Sequence, residues 1–167
     1  MKNTLIALVL IPMFCISCRT NDKASTPSAY FPADSTAVIA VADTIIYDVT
    51  IVNENPEDSW AEERLHGLSH RLLVDTLFHM IYAGKVTAYD HTTGEKLTAK
   101  QVEKIEQEAG FSRNDIGMIQ FKESWYIEPE NSKMTKDVIS MVLGMGVYSE
   151  NGEFRGNKAL FRVELKQ

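Results

Sequence analysis

The chain holds only two cysteines, Cys15 and Cys18, and both lie close to its start. Everything beyond them lacks the means for a disulfide framework, a thiol nucleophile or a thiolate metal site, so the fold must stand on its core alone. Basic residues are in deficit, with 17 Lys and Arg against 23 Asp and Glu. That balance works against nucleic acid and anionic headgroups as partners, and no basic stripe with interleaved aromatics offsets it. No Gly-x-Ser-x-Gly nucleophile elbow occurs either, which leaves a hydrolase reading without an anchor. Long apolar runs are missing as well. The run Leu5–Phe14 is too short to span a bilayer.

What that run does resemble is the apolar core of an export signal, with Lys2 as its positive n-region. Cys15-Ile-Ser-Cys18 follows, and a small residue directly before a cysteine resembles the lipobox of bacterial lipoproteins. Cys18, preceded by Ser17, fits as the acylated residue; Cys15, preceded by bulky Phe14, fits badly. The expected organisation is a signal peptide over 1–17, a tether over 18–36 and one domain over 37–167. Cleavage removes Lys2, so the mature balance falls from −6 to −7. The tether is rich in Ser, Thr, Asp, Ala and Pro and would reach ~60 Å fully extended but only ~25 Å as a coil.

Apolar periodicity in the remainder predicts an α+β fold, a long buried helix plus a short helix packed on a mainly antiparallel sheet. Ile45, Tyr47, Val49 and Ile51 line one face of a first strand. A helix over Ser59–Tyr82 follows, with Ser59 and Glu62 as a capping box and an apolar arc of Leu65, Leu68, Leu72, Leu73, Leu77, Met80 and Ile81. Lys85–Asp90 reads as a strand. Thr98 and Gln101 form a second capping box, and Gly110 stops that helix. Three alternating strands close the chain: Ile119, Phe121, Trp125 and Ile127; Ile139 to Val147; and Ala159 to Leu165.

Four features bear on chemistry. His66 and His70 stand four apart on the long predicted helix, the spacing of a metal-binding face, but without the Glu of the metalloprotease pattern. Packed or partly exposed histidines are the plainer reading, so no metal is expected. Gly144-Met-Gly146 superficially resembles a phosphate loop, yet its glycines alternate within a strand and no helix N-terminus follows. Glu123 interrupts an apolar strand face. Buried there, a carboxylate would have a raised pKa and could serve as a general acid; a bulge or a face running out to solvent is the ordinary explanation. Trp125 and Tyr126 point to opposite faces of one strand, and the one left outside is a candidate partner contact.

Two stretches carry a family resemblance. Gly84-Lys-Val-Thr-Ala-Tyr-Asp90 followed by Lys96-Leu-Thr-Ala-Lys-Gln-Val102, and then Phe121-Lys-Glu-Ser-Trp-Tyr-Ile-Glu-Pro-Glu-Asn-Ser-Lys-Met134, resemble segments of the gliding-motility protein N family. These are the N components of the type IX secretion apparatus in Bacteroidetes. The resemblance implies a structural periplasmic part, associated with the outer membrane and binding envelope protein partners such as a ring-forming lipoprotein. It implies no catalytic residues and no cofactor. The expectation is thus a noncatalytic protein anchored to the outer membrane through Cys18 and facing the periplasm. A lipoprotein binding a small molecule or glycan, in a pocket lined by Phe121, Trp125 and methionines, is the alternative. Cells fed radiolabelled palmitate should label the wild-type chain and fail to label Cys18→Ala; equal labelling would exclude Cys18 as the anchor.

Overall fold

A computed structural model describes residues 38–165, which all fall within one unit spanning Asp34–Gln167. The expected signal peptide, its candidate acylation site Cys18 and the expected tether up to residue 36 lie outside the described residues.

The chain opens with β1 (Ile39–Thr50). Two helices follow, α1 (Ser59–Leu65) and α2 (His70–Tyr82), then a small hairpin of β2 (Thr87–Asp90) and β3 (Lys96–Leu97). Helix α3 (Ala99–Glu106) leads to a 3-10 turn at Arg113–Asp115. The strands β4 (Ile116–Glu128), β5 (Lys133–Tyr148) and β6 (Phe154–Glu164) complete the fold. Six strands form one sheet in the order β1-β4-β5-β6-β2-β3, and every neighbouring pair is antiparallel.

This architecture corrects the expected α+β fold with a long buried helix. The sheet is the dominant element, the helices are short, and the stretch Ser59–Tyr82 is two helices. The break falls at His66-Gly-Leu-Ser69, where glycine is a poor helix former and serine favours a cap. The first cap is also shifted by one residue. Asp58, not Ser59, accepts from Ala61 N at 2.9 Å. Helix α1 buries none of its residues. Helix α2 buries Val74, Leu77, Phe78 and Ile81, a stripe at i, i+3, i+4 and i+7. Leu72, counted in the expected apolar arc, is 66% exposed, so the arc was too wide.

The core forms where α2 lies on the sheet. The Phe78 ring meets Phe161 edge-on at 5.6 Å and Phe111 at 6.2 Å. Ile119, Leu143, Phe161 and Val163 supply the sheet side, all fully buried. The expected inner face of β1 is present, with Ile51 buried and Val49 packed against the core. Helix α3 carries both halves of the Thr98–Gln101 capping box and seals Val102 inside. It ends at Glu106, ahead of Gly110, which takes a positive φ of 84° in the following turn. The last strand begins at Phe154, earlier than its alternation indicated, with Arg155 unpaired where the ladder steps from Val147–Gly156 to Tyr148–Phe154.

Phe78→Ala should lower the unfolding free energy by ~3–5 kcal/mol. Leu72→Ala, on the same helix but facing solvent, should change it by less than ~0.5 kcal/mol. Denaturant titration of both variants would refute the packing assignment if the two losses were equal.

Candidate functional site

Cross-strand register brings the singled-out residues of β4 together with two that the sequence did not flag. Tyr47 pairs with Phe121, Ile45 with Glu123 and Ala42 with Trp125 across β1–β4. Across β4–β5, Phe121 pairs with Met141, Glu123 with Val138 and Trp125 with Lys136. Side chains alternate along each strand, so Tyr47, Phe121, Glu123, Trp125 and Lys136 share the face that, further along, holds the core. Both neighbours of β4 are bulged beside this patch. The ladder slips between Ala42 and Ile45 on β1, and Ile139 stands unpaired on β5 opposite the Lys122–Glu123 step. Bulges sharpen the local twist and re-aim side chains. One of them is pinned by the Ser124 hydroxyl, which donates to the Asp43 carbonyl.

Glu123 is 4% exposed. The Trp125 indole donates to its Oε2 at 2.9 Å, and the Lys136 ammonium stands 4.0 Å from the same oxygen. That ammonium lies 4.3 Å from the centre of the Trp125 ring and 5.6 Å from that of Tyr47. Tyr47 stacks on Phe121 at 5.9 Å. Burial first, then the hydrogen bond and charge of Glu123, push the Tyr47 phenol above its usual pKa. An indole N–H, a phenol and an ammonium are the partners a carboxylate takes, and they assemble a small cage with an anionic floor and aromatic walls.

Tyr126 projects to the opposite face, and neither it nor Trp125 is fully buried or fully exposed. Among the described residues the most exposed aromatic is Trp60 on α1, at 67%. Tyr148 and Phe154 form a second exposed pair, edge-on at 5.8 Å, where β5 turns into β6. Alternation along β5 did not reveal that pair, because it arises only when the hairpin closes. The Tyr148 phenol donates to Glu54 at 2.7 Å and is pushed up to about 12, first by that hydrogen bond and then by burial.

The two histidines are separated by the helix break. His66 is exposed at the end of α1, while the His70 Nε2 sits 2.7 Å from the Ile116 carbonyl and ties α2 to β4. The four-residue spacing therefore no longer marks one helical face. Among the described residues no group of three or more His, Cys, Asp and Glu is placed to hold a metal ion. Gly144 and Gly146 lie within β5. A Cβ on Gly144 would stand 3.0 Å from the Met118 methyl, and one on Gly146 would stand 2.9 Å from the Tyr148 oxygen. Close side-chain packing accounts for both glycines.

A second polar cluster is structural. Arg113 lies 2.5 Å from Glu106 and 2.8 Å from Asp75, and its guanidinium covers Phe78 at 4.3 Å. Tyr82 donates to Glu106 from the other side. These contacts tie the 3-10 turn to α2 and α3 over the core. A cleft of about 300 Å³ beside Arg71, Asp75 and Arg113 is lined by groups already engaged with each other.

No protein-family model matches the chain, and no curated protein matches it. The segments that carry the gliding-motility resemblance do have clear structural duties. Gly84 takes a φ of 67° as α2 ends, Thr87–Asp90 is β2, Thr98 caps α3, and Phe121–Met134 spans the β4–β5 hairpin.

The Arg113 network also sets a pH dependence. The Arg113 hydrogen bond, opposed by a smaller desolvation effect, holds Asp75 below its ordinary 3.8. For Glu106, burial pushes upward, but hydrogen bonds from Arg113 and Tyr82 and the Arg113 charge outweigh it and leave the group below 4.5. Carboxylates depressed in the folded state contribute stability above their unfolded pKa, and that contribution is lost as pH falls through the folded value. The stability gap between wild type and Arg113→Met should be full above about pH 5 and narrow steadily in more acidic buffer. A gap that stayed constant in thermal melts across that range would overturn the assignment.

Proposed function

We propose that this chain is a lipid-anchored envelope protein that works as a noncatalytic interaction component, its contact surface lying on the sheet end formed by β1, β4 and β5. One observation carries the reading. Beyond the core the inner face of those strands continues as a half-open aromatic patch instead of ending, and it terminates in an apolar row of Ile39, Ile127 and Met134. Ile127 and Met134 are exposed there, as is Val38 beside them. Aromatic anchors in a polar surround are the usual centre of a protein contact. Trp125 supplies that anchor, and Tyr126 offers a second on the opposite face.

Acylation at Cys18 would hold the domain against its membrane and raise its local concentration near a partner. Among the described residues no helix is long and apolar enough to cross a membrane. The resemblance to the N component of the type IX secretion apparatus would put such a protein at the outer membrane, facing the periplasm, with an envelope lipoprotein as its partner. The alternative of a small-molecule or glycan pocket has less support. Four clefts among the described residues are about 240–320 Å³, at the low end for ligand sites; Phe121 lines one of these four, and Trp125 lines none of them.

Crosslinking in intact envelopes should recover an envelope protein other than the chain itself. Recovery should fall at least about fivefold for Trp125→Ala, with less effect from Leu72→Ala on the helical side. Recovery of the chain alone, or equal capture by both variants, would count decisively against this contact surface.

A further inference from the structure

The cage around Glu123 has an unusual occupant, because the cation it holds comes from the same sheet, on the neighbouring strand β5. Lys136 reaches the Trp125 and Tyr47 rings from the neighbouring strand, and its side chain remains 45% exposed. The carboxylate beneath is different. The Glu123 side chain is only 5% exposed and is fixed by the Trp125 indole. A buried anion thus faces a half-exposed cation across aromatic faces. Half-exposed lysines are weakly held, since water competes for the ammonium and the long stem loses rotamer freedom when pinned. A buried carboxylate cannot be left alone without a large penalty, so the cage demands a cation but not this one.

We propose that Tyr47, Glu123 and Trp125 form a binding site for an alkylammonium group, which enters by displacing Lys136. The aromatic faces attract a diffuse positive charge through their quadrupoles, and Glu123 supplies the counter-charge. The walls come from β1 and β4, and the bulges on β1 and β5 hold them at this spacing. Lys136 then acts as an internal plug that sets the affinity threshold. The site shares Trp125 with the contact surface proposed above, but its affinity for an alkylammonium group does not depend on that reading. It binds a free amine, or the side-chain ammonium of a partner's lysine, by the same contacts.

The chain contains two tryptophans. Trp60 is largely exposed on α1, so Trp60→Phe leaves Trp125 as the sole indole reporter without disturbing the core. In that background, tetramethylammonium chloride should change Trp125 fluorescence saturably beyond an equal concentration of sodium chloride. Lys136→Ala should tighten the response about tenfold by removing the competitor. Lys136→Arg should not, since it keeps the cage filled. Adding Glu123→Gln to the alanine variant should abolish the response. Nα-acetyl-lysine amide in place of tetramethylammonium separates the two sources: tighter binding of the lysyl probe points to a partner's side chain, and tighter binding of the quaternary ion points to a free small-molecule ammonium ion. A folded Lys136→Ala variant that answers tetramethylammonium no more than sodium would overturn the proposal. Should the alanine variant unfold, Lys136→Gln supplies the same readout. A negative result here leaves envelope crosslinking through Trp125 unaffected, so the two readings fail separately.

Discussion

One strand governs the molecule. β4 carries Ile119 in the core and Phe121, Glu123 and Trp125 in the cage on a single face, because successive side chains alternate from Ile119 to Trp125. Core and cage are therefore two ends of one continuous surface. Any slip of β4 by one residue would turn Ile119 to solvent and Glu123 away from Trp125 together. The packing of α2 against Ile119, Leu143 and Phe161 thus also holds the register on which the polar end relies.

The two ends are built on opposite physics. At the helical end, burial is nearly dry, with Phe78 and Phe161 fully enclosed and meeting edge to face. At the far end the same face buries a carboxylate, which has to be met by donors and a cation. The indole of Trp125 serves twice there, as an N–H donor to Glu123 and as a ring beneath Lys136. The bulges beside the cage change the spacing on either side of β4 and leave the stretch Ile119–Trp125 alternating. The Arg113 cluster solves the related problem at the helical end, where three elements meet over the Phe78 ring and a single guanidinium spans two carboxylates.

Local signals were legible wherever a short stretch contained its own answer. Thr98 and Gln101 announce their helix because both partners of the capping box lie within one turn. The β1 inner face and the β2 strand followed from alternation alone. Alternation also singled out Glu123 as an interruption of an apolar strand face and set Trp125 and Tyr126 on opposite faces. It could not name their partners. Tyr47 and Lys136 sit 76 and 13 positions from Glu123 in the sequence, and only strand pairing joins them. The helical stretch was misread because leucine spacing is compatible with one continuous helix. Gly67 and Ser69 decide otherwise, since each weakens the helix where no core contact compensates.

By itself, then, the sequence determined that the fold would stand without disulfides, where α3 begins, and which faces of its strands are apolar. These are properties of composition or of residues a few positions apart, and local sterics and hydrogen bonding settle them. Tertiary structure decided the strand order, the division of the long helical stretch, the fate of His70 as a backbone tie and the meeting of Tyr47, Glu123, Trp125 and Lys136. Those depend on which surfaces are buried together, and a contact between distant segments exists only after the sheet has closed its register.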